Sequence, residues 1–598
     1  MLSKKYAFRF EILGIVGALV FFVLVTRVAY MQLYAGEYYK NRSDGNRIRV
    51  TPIMAPRGIV YDRNGIPLVT NKPGFTVVVN AKERGFTPEV AAKLADILDI
   101  SLEDINEKVE RNRGSYTPVT VKTDLTPELV TKIEERRDDL PGVMIVVQPL
   151  RVYLYNEVAS HAIGYVNEIS EEELTRLKDK EDNNDKSYRP GSIIGKMGIE
   201  RFYDTYVRGH DGNNRMEVDV NGRVMHELER EEPIPGDNIY LTIDIELQKV
   251  AEKAVDDQLA WLRNYGGSYN AYAASVVVMD PRTGEILAMV NRPTFNPNSF
   301  VGGISHAEWD KINTNPFDPM TNKAVSGEYP QGSTFKIVTG AAALELNKVT
   351  PEEQFYDSGE HWLAPKGNAG GAAYGWLDFN KAMSKSSNVY FYEMGYRVGI
   401  DNIAKYAAGF GFGKTTGIDL IGEAEGNIAS QEYKRRVLNE DWYGAETLDA
   451  AIGQGFHLAT PLQMAVSISA VANGGTRYKP YLVSKIVSDK GELVEKFRPK
   501  EVGSLPVSAH NLAIIKKALR QSSIDGTGWP FASFPIPVAG KTGTAENVGR
   551  DHGIYVCYAP ADNPEIAIVV IVENGGFAAT AAIPIAQKIL AAYFKVGA

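Results

Sequence analysis

The stretch ASVVVMDPRTGEILAMV, residues Ala274 to Val290, holds two β-rich runs joined by Asp280-Pro281-Arg282-Thr283-Gly284. Asp, Pro and Gly in that order are turn chemistry, so the stretch predicts a β-hairpin. Three more strand-like runs close the chain: PVAGKTGTAE (Pro537 to Glu546), IYVCYAP (Ile554 to Pro560) and EIAIVVIVENG (Glu565 to Gly575). A helix from about Ala578 to Lys595 follows them. Between the hairpin and these runs, about 240 residues read mainly as helices and loops. One antiparallel sheet built from both ends, with a helical insertion packed against it, is the simplest architecture.

Upstream, Pro233, Pro235 and Gly236 break the chain before a strand and a long amphipathic helix in DNIYLTIDIELQKVAEKAV, so the main boundary falls at 236/237. Residues 35–236 interleave short strands such as GFTVVVN (Gly74 to Asn80) and VMIVVQ (Val143 to Gln148) with charged helical stretches such as PEVAAKLADIL. This is an α+β module. The polar run Lys178 to Gly191 reads as a solvated loop, and no repeat of fixed period is present.

At the N-terminus, Lys4, Lys5 and Arg9 precede an apolar run from Ile12 to Val25, which predicts a cytoplasmic N-terminus (residues 1–11) and a membrane anchor over residues 12–34. Fifteen residues, Ile12 to Thr26, separate Glu11 from Arg27, short of the roughly 20 that cross a bilayer, so Arg27 must snorkel. Tyr30, Tyr34, Tyr38 and Tyr39 stand where an aromatic belt belongs, and no small-residue cleavage site follows. Everything after the anchor is then extracytoplasmic.

At 598 residues, 44% hydrophobic and 23% charged, the chain is a multidomain globular protein. A net charge of -9 offers no basic footprint for nucleic acid. Cys557 is the only cysteine, so an intramolecular disulfide and a cysteine-rich zinc site are excluded. The strings Gly413-Lys414-Thr415 and Gly540-Lys541-Thr542 are not phosphate loops, because Ala408 and Pro535 stand where that pattern needs glycine. No H-E-x-x-H helix and no G-x-S-x-G elbow occurs, and a surface position accounts for His552 beside Asp551.

What remains is YPQGSTFKIV, Tyr329 to Val338, with Ser333 and Lys336 three residues apart at a helix start. Alone, Ser333 reads equally well as a helix N-cap. Ser386-Ser387-Asn388 and then Lys541-Thr542-Gly543-Thr544 follow in order, and the set S-x-x-K, S-x-N, K-T-G is a serine acyl-transfer signature. An earlier S-x-N, Ser268-Tyr269-Asn270, is out of order and reads as a loop.

A serine hydroxyl needs a base beside it, and Lys336 shares a helix face with Ser333. A lysine near 10.4 must be lowered by burial and a neighbouring cation, for which Lys541 is the candidate. Ser386 suits proton relay, Asn388 suits holding Lys336 or a substrate carbonyl, and Lys541 with Thr542 and Thr544 suits a terminal carboxylate. The backbone N–H groups of Ser333 and Thr544 are candidate oxyanion donors, and the late strand offers an edge for an extended peptide.

The chain resembles the class B penicillin-binding proteins over almost its whole length, in APRGIVYDRNGIPLVTN, ASHAIGYVNEISEEEL, GKMGIERFYDTYVRGHDG, DPRTGEILAMVNRPTFNPN, YPQGSTFK, AIGQGFHLATPLQMA and GKTGTAE. GYVNEISEEEL and RPGSIIGKMGIE are most similar to the elongation-type group, penicillin-binding protein 2. The resemblance implies an anchored α+β multidomain protein with a non-catalytic pedestal (35–236) and a transpeptidase domain of serine β-lactamase-like fold (237–598). It implies peptidoglycan D,D-transpeptidase activity in cell-wall elongation and shape maintenance, with covalent inhibition by β-lactams. Ser333 becomes the nucleophile, Lys336 its base, Ser386 and Asn388 the second motif, and Lys541, Thr542, Gly543 and Thr544 the carboxylate- and oxyanion-binding strand. Arg57, Gly58, Asp62, Arg63 and Gly65 match a structural motif of the pedestal. Stem peptides and β-lactams are the implied ligands, and a SEDS-family membrane glycosyltransferase the implied partner, met through anchor and pedestal. The implied location is the bacterial cytoplasmic membrane.

No cofactor is expected, and no metal, since Cys557 lies in the wrong segment for the zinc site of some relatives. Ile554-Tyr555 replaces a tryptophan-phenylalanine pair usual in relatives, which leaves ligand contacts on that strand open. A membrane β-lactam sensor would need a cytoplasmic effector domain, and an anchored β-lactamase a water-activating group.

Overall fold

The computed structural model describes residues 2–35, 48–80, 86–111, 118–178, 188–218 and 224–597. Tyr38, Tyr39 and residues 179–187 of the polar run lie outside them. The N-terminal helix, Leu2–Ala29, runs on into a π turn, Tyr30–Tyr34. It is longer than the gap between Glu11 and Arg27 suggests, because Arg27 does not interrupt it: its guanidinium lies 5.6 Å from the Tyr30 ring, which stacks on Tyr34 at 5.4 Å. The stretch Phe8–Tyr34, 27 residues, carries an unburied, strongly apolar segment and fits a single-pass membrane anchor.

The chain forms two compact units, Met1–Pro56 with Pro73–Pro149 and His210–Ile234, and Arg57–Lys72 with Leu150–Gly209 and Pro235–Ala598. In the first unit, strands Ile48–Ile53, Gly212–Val218 and Val224–Glu231 pair antiparallel. Helix Pro88–Leu98 begins where Thr87 Oγ1 accepts the Val90 N–H. Its apolar stripe, Val90, Leu94 and Leu98, shares a small core with Val77, Val79 and Val121.

In the second unit the hairpin strands β1 (Ala274–Met279) and β2 (Ile286–Arg292) meet β3 (Ala539–Ala545), β4 (His552–Ala559) and β5 (Ile566–Val572) in one sheet, order β2-β1-β5-β4-β3. All four pairings are antiparallel. The turn closes as its residues dictate, with Gly284 at φ +87 and its N–H donating to Asp280 O at 3.0 Å. Both sheet faces are covered, which is why β1 and β5 read as unbroken apolar runs rather than alternating ones. Val276, Val570 and Cys557 face one core with helices α1 (Ile245–Asn264) and α6 (Ile583–Phe594). Val277, Val569 and Val556 face the other, shared with the insertion helices α2 (Lys336–Glu345), α3 (Asn388–Val398), α4 (Pro461–Ala472) and α5 (Ala509–Asp525). The C-terminal helix is split: a short turn, Ala578–Ala581, precedes α6, whose first turn carries a proline.

The compact units do not follow a single cut at 236/237, and the reason is backbone pairing within the second unit. Val60–Tyr61 runs parallel to Asn238–Leu241, which pairs in turn with Val483–Val487. Gly58 passes so close to this strand that a Cβ would stand 1.8 Å from Asp237 O. Asp62 holds its own turn by accepting the Asn64 and Ile66 N–H groups at 2.8 Å, and Gly65 completes it at φ +83. Arg63 pairs with Glu285 at 3.1 Å.

Arg57 and Arg151 both donate to Glu200, at 2.8 and 2.6 Å, and Arg57 also reaches Asp204 at 2.8 Å. All four side chains are buried. Glu200→Ala leaves buried Arg151 without its carboxylate and Arg57 with Asp204 alone, and is expected to lower stability by about 3 to 5 kcal/mol. Equilibrium unfolding of the purified chain reads the change; an unaltered midpoint would show that the arginines do not depend on Glu200.

Candidate active site

Gly332–Phe335 forms a 3-10 turn that feeds directly into α2. The Ser333 side chain caps neither helix, contrary to the capping alternative, so its hydroxyl remains on the surface of the turn. Helix α2 is buried on all sides from Lys336 to Leu344, as an apolar helix of small residues permits. Lys336 is therefore carried into the interior with 0% exposure. Gly332, at φ +53, lies against the edge strand, where a Cβ would stand 2.5 Å from Thr544 O. Behind it Gly453, in the AIGQGFH loop, accepts the Gly332 N–H at 3.0 Å.

The second motif joins helix Phe379–Lys385 to α3. Ser386 adopts the left-handed conformation, φ 57 and ψ 39, costly for a non-glycine residue. Ser387 caps α3, its Oγ accepting the Tyr390 N–H at 3.0 Å and donating to Asp357 Oδ2 at 2.6 Å. Asn368 locks the same turn, donating to both Asp357 oxygens at 2.9 Å and accepting the Asn388 N–H at 2.7 Å.

Three sequence-distant motifs meet at two amines. Lys336 Nζ donates to Ser386 O at 2.8 Å, Ser386 Oγ at 3.3 Å and Asn388 Oδ1 at 2.6 Å. Lys541 Nζ, also 0% exposed, donates to Ser386 Oγ at 2.7 Å and Thr542 O at 3.0 Å. Burial pushes Lys336 well below the ordinary lysine range, Lys541 pushes it further, and Asp357 opposes them. Burial alone brings Lys541 down to about 7. Both amines therefore give up a proton more readily than an ordinary lysine.

Ser333, Ser386, Asn388, Thr542 and Thr544 line one cleft of about 710 Å3, with Lys336 and Lys541 beneath them. Gly543 faces away, against the Ser333 turn, where a Cβ would meet Thr334 Cγ2 at 2.9 Å and Gln331 O at 3.0 Å. Its use is close approach of β3 to that turn. Ile554 and Tyr555 are fully buried and do not line the cleft; Tyr555 stacks on Phe531 at 5.6 Å. Cys557 is buried in β4, where burial pushes its thiol up.

His552 is not a free surface residue: its ring abuts Tyr329 edge-on at 5.9 Å, and Nδ1 accepts the Asn574 N–H at 3.1 Å. His457 lies 4.2 Å from the Phe335 ring, and burial lowers it to about 3, which makes it a neutral packing group. Sequence reasoning missed Asp357, Asn368 and Thr527, whose Oγ1 lies 2.6 Å from Thr542 Oγ1. None carries a spacing signal.

Residues 274–593 match the penicillin binding protein transpeptidase domain, and residues 52–241 the penicillin-binding protein dimerisation domain. The peptidoglycan D,D-transpeptidase MrdA of Salmonella typhimurium is 33% identical over 95% of this chain and 93% of its own length. Among solved structures, the complex between penicillin-binding protein PBP2 and MreC from Helicobacter pylori matches with a TM-score of 0.77 at 26% identity, covering 92% of this chain and 99% of that one. A chain from a peptidoglycan synthase complex coordinating polymerization and crosslinking matches with a TM-score of 0.72 at 29% identity, covering 99% of each. A transpeptidase domain over more than half the chain and a relative aligned over nearly all of it place the family beyond fold alone: the chain belongs to the penicillin-binding protein transpeptidases, in the class B group of penicillin-binding protein 2.

Proposed function

We propose that this chain cross-links cell-wall peptidoglycan as a serine D,D-transpeptidase, with Ser333 as the acylated nucleophile. The observation that carries the reading is the hydrogen-bonded path from Lys336 through Ser386 Oγ to Lys541 under the cleft that Ser333 lines. Neutral Lys336 takes the Ser333 proton as Oγ attacks the D-Ala-D-Ala carbonyl. The N–H groups of Ser333 and Thr544 receive the oxyanion, and collapse of the intermediate expels D-alanine, protonated through Ser386. Asn388 holds Lys336, while Lys541, Thr542 and Thr544 receive the donor's terminal carboxylate; Gly543 lets their strand approach the turn. An acceptor amine then attacks the ester. β-Lactams acylate Ser333 by the same first step.

The pedestal reading of residues 35–236 draws support from the dimerisation-domain match, and a SEDS-family glycosyltransferase partner from the relative that sits in a synthase complex. The basic residues ahead of the apolar helix favour a cytoplasmic N-terminus with the catalytic unit outside.

Labelled penicillin should form a stable adduct that Ser333→Ala abolishes. Adduct surviving that change would overturn the nucleophile, and rapid release of hydrolysed drug would favour a β-lactamase.

The acylation rate should follow a bell-shaped pH profile. It rises as Lys336 deprotonates, below the usual lysine range, and falls as Lys541 loses its charge above about 7. A rate still climbing at pH 10 contradicts the pair.

Lys541 also carries a stability signature. Its folded pKa of about 7 lies below the unfolded value of 10.5, so the folded state is penalised below pH 10.5, fully so below about 7. Lys541→Met should abolish acylation yet stabilise the chain by about 1 to 3 kcal/mol at pH 6, with the gain vanishing near pH 10.5. Unfolding curves at the two pH values measure this, and a gain independent of pH would refute it.

A further inference from the structure

A second cleft, of about 480 Å3, opens beside the catalytic one, lined by Tyr374, Trp376, Lys381, Lys385, Lys517 and Asp525 among others. Tyr374 and Lys385 line both clefts, and Lys385 directly precedes Ser386. The two clefts therefore share a wall at the second motif. Asp525 also anchors this wall, since its backbone O accepts from Lys385 Nζ at 3.0 Å and Thr527 follows it by two residues. The second cleft thus lies toward the end of the catalytic cleft marked by Thr527 and Thr542.

Its charges are unevenly used. Asp525 accepts Ser384 Oγ at 3.0 Å and Gln521 Nε2 at 2.7 Å, and Asp378 accepts the Lys381 N–H at 2.8 Å as a helix cap. The ammonium groups of Lys381 and Lys517, both exposed, have no hydrogen-bond or ionic partner among the described residues. Beside them Trp376 stays 64% exposed, paired edge-on with Tyr356 at 5.3 Å across a two-stranded ribbon. Unpaired cations beside a bare aromatic wall suit an anionic ligand with an apolar side.

Transpeptidation needs two peptides, and the catalytic cleft is filled by the donor. In the proposed reaction the Thr542 end receives the donor carboxylate and empties when D-alanine leaves. The incoming amine must take the position the leaving amine vacated, so it enters from that end. We infer that the second cleft seats the acceptor strand, a stem peptide bearing free carboxylates, with Lys381 and Lys517 on those carboxylates and Trp376 against its apolar side. The acceptor nitrogen then bonds to the ester carbonyl carbon as the bond to Ser333 Oγ breaks, and the ammonium proton returns to Oγ through Lys336. This inference rests on the transpeptidase reading.

The test uses the full chain in detergent, with and without prior penicillin acylation, titrated with two synthetic stem tetrapeptides. One carries free carboxylates and the other carboxamides, and both keep a side-chain amine. The carboxylate peptide should bind more tightly to both forms, and Lys381→Glu/Lys517→Glu should reverse that preference, weakening it by about tenfold or more. A misfolded variant would lose both peptides and would not reverse the order; the single variant Trp376→Ala, weakening both peptides alike, checks the aromatic wall separately. Equal affinity for the two peptides, or an order unchanged by the double charge reversal, overturns the inference. Penicillin labelling reads independently: its failure removes the Ser333 assignment, whereas labelling without peptide discrimination removes only the acceptor cleft.

Discussion

Two lysine amines share one serine hydroxyl in the interior of this protein, and the active site is organised around that arrangement. Lys336 and Lys541 both donate to Ser386 Oγ, and their other partners are a carboxamide and two backbone carbonyls. None is a carboxylate. Buried ammonium groups are normally paired, because the desolvation of an unpaired one exceeds what neutral acceptors return. Here the pairing is withheld. Asp357 is close enough to oppose the lowering of Lys336, yet its oxygens are occupied by Asn368, Ser387 and the Gly359 N–H. The result is a lysine held well below its ordinary range by burial and a neighbouring amine.

Such a site needs a frame that does not relax, since a modest shift would let either amine find water. The five-stranded sheet supplies it by being buried on both faces, and closely packed interiors transmit strain rather than absorb it. Glycine supplies the close approaches: Gly332 and Gly543 let the Ser333 turn and β3 touch backbone to backbone, where any side chain would push Ser333 and Thr544 apart. Ser386 carries the strain in the opposite sense, held left-handed between two helices so that its carbonyl and hydroxyl both face Lys336.

The sheet and the motif residues were legible because each leaves a local trace. The hairpin announces itself through Asp280 to Gly284, and the three motifs keep their spacing and order. What was not legible depends on residues far apart in sequence. Asp357 and Asn368 brace Asn388 and Ser387 across loops with no periodicity, and Thr527 meets Thr542 from a separate turn. The interleaving of the compact units across 236 was not legible for a related reason: Val60–Tyr61 is too short a strand to declare its partner, and that partner, Asn238–Leu241, lies about 180 residues on. The anchor expected over residues 12–34 lies within one apolar helical stretch, Phe8–Tyr34, which continues past Arg27 because that charge lies against the Tyr30 ring.

A base tuned by desolvation is also tuned by its substrate. Water reaching the cleft floor would raise Lys336 toward its ordinary range and quench it, whereas a peptide covering Ser333, Asn388 and Thr544 excludes water and strengthens each remaining electrostatic contact. Donor binding then reinforces a desolvation that the fold has already imposed on Lys336. The same logic bears on the acyl-enzyme: burial keeps Lys336 low after D-alanine leaves, and an acceptor peptide lying over the cleft excludes water from its floor. Water, arriving alone, gives the cleft no such cover. A peptide acceptor does, which favours transfer over hydrolysis without any group dedicated to repelling water.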